Sequence, residues 1–187
     1  MRRRRGFVLA EVLVGTALAL ALLAAMTAAV GVEGRMLVGS GARAESEDTA
    51  QLAVEAFLFD LRRAGYGPAA IGPAALLEAL ADGLALTADL DGDGRIATDS
   101  EESVAWRCVL AGRRLSRVVG RQSLPLAENV VGCVFRYLDG DGLPVATPVA
   151  AAALPRVRAV ELALRLLPPG LSHASSRTLL VALRAAP

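Results

Sequence analysis

Asp89, Asp91 and Asp93, followed by Gly94 in the run DLDGDGRIATDSEE, stand at the first, third, fifth and sixth positions of an EF-hand type calcium loop. In such loops clustered carboxylate oxygens and a turn-forming glycine surround a hard cation. The twelfth position, which such a loop gives to a bidentate glutamate, is Ser100, with Asp99 before it and Glu101 and Glu102 after it. A calcium site of non-standard form would draw on Asp99, Glu101 or Glu102 and on the Arg95 carbonyl, tying the loop to the strand that follows. The same acidic, glycine-rich sequence equally suits a β-turn that needs no metal. Calcium is therefore the one cofactor the sequence suggests, and none is required. A second run, Asp139, Gly140, Asp141 and Gly142, has no further acids nearby and reads as a hairpin turn.

Cys108 and Cys133 lie in strand-like sequence, SVAWRCVL and VVGCVFRY, with no CxxC spacing to suggest a metal or a redox motif. Two readings stay open: a disulfide across neighbouring strands, contributing about 2 to 4 kcal/mol, or two buried free thiols. The only histidine, His173, has Ser172, Ser175 and Ser176 around it but no nucleophile elbow and no orienting acid. It reads as a loop histidine. The chain contains no GxxxxGK[ST], HExxH or paired-cysteine zinc spacing, so no enzymatic activity is expected.

A further group of chemically informative residues opens the chain, in RRRRGFVLAEVLV. Between Phe7 and Val32 the only ionisable side chain is Glu11, and the rest of that run is long enough to span a bilayer at about 1.5 Å of helix rise per residue. The arginines ahead of it would hold the N-terminus in the cytoplasm and place the remainder across the membrane. A cleaved secretory signal has an apolar region of only about 7 to 15 residues, shorter than this one. A permanent anchor leaves Glu11 unexplained, since an acid at mid-membrane costs about 2.5 to 3.5 kcal/mol. Cleavage between Gly6 and Phe7 would account for both features. The new amine would stand one helical turn from Glu11, and the same carboxylate could neutralise the amine of a neighbouring subunit, which makes a buried charge tolerable.

These residues need elements to carry them. The chain has 187 residues and is 54% hydrophobic, with much of the apolar excess in residues 7–32. Its formal net charge is +1, less than the leader arginines alone supply, and every basic residue is arginine. With no basic patch interleaved with aromatics, a nucleic-acid partner is not expected. Gly34, Gly39 and Gly41 weaken any helix by about 1 kcal/mol each, so a bend or loosened turn fits there. Residues 50–66 regain helical spacing, with Ala53, Val54, Phe57, Leu58 and Leu61 as the buried stripe and Gly65, Gly67 and Pro68 as the stop. The run AALLEALADG suggests a short apolar helix. Strands are expected at 84–88, 103–110, 115–119, 130–138, 157–166 and 178–184. The segment at 157–166 also has helical spacing, but Pro168 and Pro169 end it abruptly, which favours a strand.

The leader RRRRG followed by FVLAEVLVGTALALALLAA resembles the class III prepilin signal of the type IV pilin and type II secretion pseudopilin superfamily. The resemblance implies cleavage after Gly6 by a prepilin peptidase, N-methylation of Phe7, and a charge-pairing role in assembly for Glu11. VLAE stands where the family often has TLLE or SLIE, which leaves those positions intact. DLRRAGYG from Asp60, DLDGDGRIATDSEESVAWR, LPLAENV, FRYLDGDG and the closing RTLLVALRA resemble PilW-like minor pilins in their order along most of the chain. The ending departs from the family, with AAP after Arg184 where it usually has an LRN-like close.

What the resemblance implies is an α+β type IV pilin fold, with a long N-terminal helix packed on an antiparallel β-sheet, and a strand at 157–166. The leader would be residues 1–6, the transmembrane half of the helix 7–32, its amphipathic half 33–66, and the periplasmic β-rich domain 67–187. The implied function is that of a minor pilin that helps initiate or cap pilus assembly. The implied location is the inner membrane, single-pass with the C-terminal domain in the periplasm, and then the pilus or pseudopilus. Partners would be other major and minor pilins, the prepilin peptidase, the assembly platform and the membrane. A minor pseudopilin of type II secretion, resembling the GspJ group, is the nearest alternative. A signal-anchored periplasmic calcium-binding or hydrolytic domain is the alternative of a different class.

Overall fold

The computed structural model describes residues 9–67 and 75–183, with the backbone alone for helix residues 9–10, 28–40 and 42. The expected cleavage site, Gly6 and Phe7, lies outside the described residues. Helix α1 covers Leu9–Arg63 and runs through Gly34, Gly39 and Gly41. The chain divides within it into two compact units, Met1–Ala42 and Arg43–Pro187.

In the first unit every side chain of residues 11–27 is exposed. Thr16 and Thr27 do not leave their hydroxyls free: each donates to carbonyls one turn back, Val12 and Leu13 for Thr16, Leu23 and Ala24 for Thr27. No helix among the described residues is long and apolar enough to cross a membrane. This corrects the expected single-pass inner-membrane localisation. That expectation needs the whole of 7–32, whereas the uncharged side chains described, residues 12–27, cover roughly 24 Å of helix against a hydrocarbon core of about 30 Å.

The second unit holds nine strands among the described residues. β1 (Leu76–Ala79), β2 (Gly83–Thr87), β3 (Ser103–Val109), β4 (Arg114–Val119) and β5 (Gln122–Glu128) form a five-stranded antiparallel meander in sequence order. β6 (Val130–Leu138), β7 (Pro144–Val145), β8 (Ala159–Leu166) and β9 (Ser175–Ala182) form a second antiparallel sheet in the order β7-β6-β8-β9. The expected pilin fold, one long helix laid on one antiparallel sheet, is therefore corrected. The unit is mostly β, in two sheets of five and four strands, and Ala50, Ala53, Phe57 and Leu61 bring the end of the helix into its core.

One residue makes the division. Glu128 still pairs with Arg114 in the first sheet, while Val130 already pairs with Leu166 in the second. Between them Asn129 takes a left-handed conformation at φ 58°, which asparagine tolerates better than most residues. The run AENVV reads as a simple approach to a strand, and the turn from one sheet to the other hides in it.

AALLEALADG is a strand and a turn, not a helix. A register shift between Leu76 and Glu78 inserts an extra residue, so Leu76 and Ala79 both face inward at a three-residue spacing that imitates a helix. At β8 the burial alternates residue by residue, as in a strand with one face in the core. β5 carries Pro125, which the ladder tolerates because β5 is an edge strand.

The core is a single cluster drawn from the helix and both sheets. Ala50, Ala53, Phe57 and Leu61 provide the buried helical stripe, Trp106 and Leu115 the first sheet, and Phe135, Tyr137, Leu162 and Leu164 the second. Phe57 touches both sheets: its ring centroid lies 5.1 Å from that of Trp106, edge to face, and 5.8 Å from that of Phe135. The turn between β1 and β2 ties the sheets through the Tyr137 hydroxyl, shared by the carbonyls of Leu80 and Gly83 at 2.8 Å each. Gly83 is required there, because a Cβ would stand 2.6 Å from the Trp106 carbonyl oxygen.

Candidate acidic loop and the charge network behind it

Between β2 and β3 the acidic loop folds around its own carboxylates. Asp89 is buried and accepts from the backbone N–H groups of Gly92 (2.8 Å) and Gly94 (2.9 Å). Both glycines have φ near +80°, a conformation glycine adopts without steric cost. Asp91 accepts from the N–H of Asp93 at 3.0 Å, and Asp93 from that of Arg95 at 2.7 Å, two successive Asx turns. Glu102, also buried, reaches back across the loop. Its Oε1 accepts from Leu90 at 2.8 Å and Asp91 at 3.4 Å, and its Oε2 from Ala97 at 2.9 Å.

Ligand oxygens of Asp89, Asp91 and Glu102 converge within 4.8 Å of one another. The other sequence candidates go elsewhere. Asp93 and Arg95 are taken up in the Asx turn, Asp99 is exposed, and Glu101 points to the opposite side. The glutamate that closes the loop is thus Glu102, two residues beyond the twelfth position. The second acidic run is a hairpin turn, in which Asp139 accepts from Asp141 (3.0 Å) and Leu143 (2.9 Å) between β6 and β7.

Glu101 joins a network that sequence reasoning missed. Asp60, on α1 and 3% exposed, accepts from the Trp106 indole (2.9 Å), from Arg117 through Nε (2.7 Å) and Nη2 (3.0 Å), and from Arg63 (3.1 Å). Glu101 pairs with the same two arginines, at 3.1 Å to Arg117 Nη1, in a closer contact to its Nη2, and at 3.3 Å to Arg63. The signal was present in sequence, since Asp60 stands three residues after Phe57 on the apolar stripe and the only tryptophan needs an acceptor for its N–H. Between network and loop there is a cavity of about 10 Å³, too small for a substrate.

The Arg117 hydrogen bond, with Arg63 beside it, holds Glu101 below the usual carboxylate range, and backbone N–H groups led by Ala97 and Leu90 do the same for Glu102. Groups depressed in the folded state stabilise it above their ordinary value of about 4.3 and lose that contribution as pH falls through the folded value. Thermal unfolding of the full chain should therefore be unchanged between pH 7 and 5 and fall below about pH 4. Glu102→Gln should unfold at a lower temperature at pH 7 and lose less on acidification than the parent. Parallel pH curves for the two proteins would contradict this.

The two cysteines are free and buried, and they belong to different sheets. Cys108 belongs to β3 of the first sheet and Cys133 to β6 of the second. Ser172 and His173 form a local pair, Oγ to Nδ1 at 2.8 Å, in an exposed loop. No protein-family model matches the chain, and no curated protein sequence matches it.

Proposed function

We propose that this chain is a structural subunit of the type IV pilin and pseudopilin superfamily, cut after Gly6 by a prepilin peptidase and assembled with other pilins. The observation that carries the reading is the sequence RRRRGFVLAE, which places a basic block, a glycine, an aromatic residue and an acid at the family's spacing. The later phrases resemble those of PilW-like minor pilins, which initiate or cap a fibre; a minor pseudopilin of the GspJ group has the same kind of leader, and the neighbouring genes would distinguish the two. The work of such a subunit is assembly, not catalysis.

The first unit supports the reading through its surface. Leu13, Leu18, Leu20, Leu22 and Met26 are each about 60% exposed or more, a contiguous apolar surface of the kind that marks an interaction site. Covering it in a fibre would release roughly 25 cal/mol for each Å² of apolar area removed from water. Glu11 would then pair with the amine that cleavage creates on a neighbouring subunit, which offsets the cost of enclosing its charge.

Co-expression with a prepilin peptidase and mass spectrometry of the intact protein provide the test. The mature chain should begin at Phe7 and carry one added methyl group, and Gly6→Ala should retain the whole leader. A Gly6→Ala protein processed like its parent would overturn cleavage by a prepilin peptidase. Glu11→Gln should be cleaved normally yet recovered in sheared fibres at a tenth of the parental level or less, and recovery equal to the parent would refute the charge pairing.

The convergence of Asp89, Asp91 and Glu102 favours a second, narrower reading, in which calcium stabilises the loop. Calcium takes six to eight oxygens, so these carboxylates would need backbone carbonyls or water to complete the shell. Calorimetric titration with calcium chloride should give a heat of binding that Asp91→Ala abolishes. A flat titration of the parent would leave the loop as a turn held by its own amides.

A further inference from the structure

The two sheets end in four edge strands, β1, β5, β7 and β9, and all but β9 carry a device that hinders pairing with another chain. β1 is four residues long and broken by the register shift at Leu76 and Glu78, β5 has Pro125 within it, and β7 is two residues, one of them Pro144. Short strands, bulges and prolines are the means by which proteins guard a sheet edge. β9 has none of them. It pairs with β8 without a shift from Ser175 against Leu166 to Ala182 against Ala159, and Arg177 is its single charge. Among the described residues no strand lies along its other side.

The ladder fixes which groups that open side presents. The Leu183 N–H donates to the Arg158 carbonyl at 2.7 Å, and in an antiparallel pair the N–H and C=O groups turn to the same neighbour at every second residue. Arg177, Leu179 and Val181 therefore bond to β8, and Ser176, Thr178, Leu180 and Ala182 turn their backbone groups outward. All four of the latter are exposed, Leu180 at 59%. The run TLLVAL from Thr178 is uncharged and free of glycine and proline, a composition that favours strand pairing between chains.

We propose that β9 is an interaction edge for a second copy of this chain, which adds its own β9 antiparallel and joins the two four-stranded sheets into one. The strand is complementary to itself. Only a two-fold axis through Leu179 sets all the outward residues of one copy against those of the other, Ser176 against the second copy's Ala182 and Thr178 against the second copy's Leu180. Leu179, packed against the core but only partly buried, then meets the second copy's Leu179. Charge does not oppose this register. Arg177 falls opposite the second copy's Val181, which leaves the two arginines about 14 Å apart along the strands, beyond the Debye length of about 8 Å at physiological salt. One strand a side is well short of the roughly 20 to 30 residues of a standard interface, so the dimer is weak, with a dissociation constant on the order of 0.1 mM.

The pairing does not depend on cleavage after Gly6, and its test uses the full chain in dodecyl maltoside, which covers the exposed apolar side chains of residues 11–27. Sedimentation equilibrium should show monomer at about 10 µM and mostly dimer at about 1 mM, as that dissociation constant requires. A parent that stays monomeric throughout would overturn the proposal. Thr178→Pro removes an outward N–H and none that bonds β8, and Leu180→Lys adds a charge to the edge. Each should weaken dimerisation at least about tenfold with the melting temperature unchanged, and association as strong as the parent's in both would overturn the edge as its site. Amide-resolved hydrogen exchange on the parent decides the matter even if a variant fails to fold. Between about 50 µM and 1 mM the amides of Ser176, Thr178, Leu180 and Ala182 should slow about threefold, in step with the loss of free monomer. Dimerisation without slowing at those amides would place the contact elsewhere and refute the pairing.

Discussion

Replacing Asp60 with alanine is expected to cost the globular unit about 3 kcal/mol, a fall of roughly 6 to 12 °C in melting temperature. The Asp60 carboxylate is almost wholly enclosed and accepts from Trp106, Arg117 and Arg63 at once. Its removal leaves the indole N–H of a tryptophan with no solvent exposure unsatisfied, a penalty of about 1 to 3 kcal/mol by itself. It also leaves the Arg117 guanidinium, whose side chain is 16% exposed, with Glu101 as its remaining acid. Breaking a buried pair costs about 3 to 5 kcal/mol, and the lower end applies because Glu101 stays in place, half-exposed. Urea denaturation followed by circular dichroism measures the loss. Asp60→Asn, which keeps an acceptor for the indole but not the charge, should fall between parent and alanine. Arg136→Ala, which breaks an exposed pair with Glu161, should cost under about 0.5 kcal/mol. If Asp60→Ala proved no more costly than Arg136→Ala, the network would contribute nothing to stability.

The sequence was most legible where one period dominates. Phe57 and Leu61 stand on the helical stripe that is buried, and the strand at β8 could be separated from a helix because two prolines end it. Legibility failed where a local irregularity borrowed another element's period, as the bulge at Leu76 and Glu78 did. It failed again where one residue changed the direction of the chain. Nothing in the composition around Asn129 announces that residues before and after it belong to different sheets, because left-handed geometry at a single asparagine leaves the hydrophobic pattern intact. The acidic loop reads as a cluster of oxygens with turn-forming glycines, but the sequence does not show how it closes. Glu101 and Glu102 are adjacent in a segment entering a strand, so they point to opposite sides, one to the arginines and one to the loop. Spacing alone offered both as ligands.

Phe57→Ala should be the most destabilising single change in the helix, by about 4 kcal/mol, and Phe59→Ala one of the mildest. The two phenylalanines are two residues apart on α1, so they face different directions. Phe57 is fully enclosed and, among the described residues, is the one side chain of the helix in ring contact with both sheets, at Trp106 and Phe135. Truncation removes a buried ring, for which about 3 to 5 kcal/mol is typical, and forfeits the edge-to-face pair as well. Phe59 is 58% exposed and covers only the Arg63 guanidinium, 4.3 Å from its ring centre. At an exposed site that contact contributes about 0.5 to 1 kcal/mol, so Phe59→Ala should cost no more than that. The contrast separates two ways in which the helix could be held. If it is fixed by the aromatic wedge between the sheets, Phe57→Ala lowers the urea midpoint far more than Phe59→Ala. If the charge network at Asp60 alone fixes it, Phe57→Ala and Asp60→Ala combined should be little worse than Asp60→Ala by itself. Both contacts converge on Trp106, through its ring and its N–H, so the pair should fall short of additivity by a measurable amount without either effect being lost.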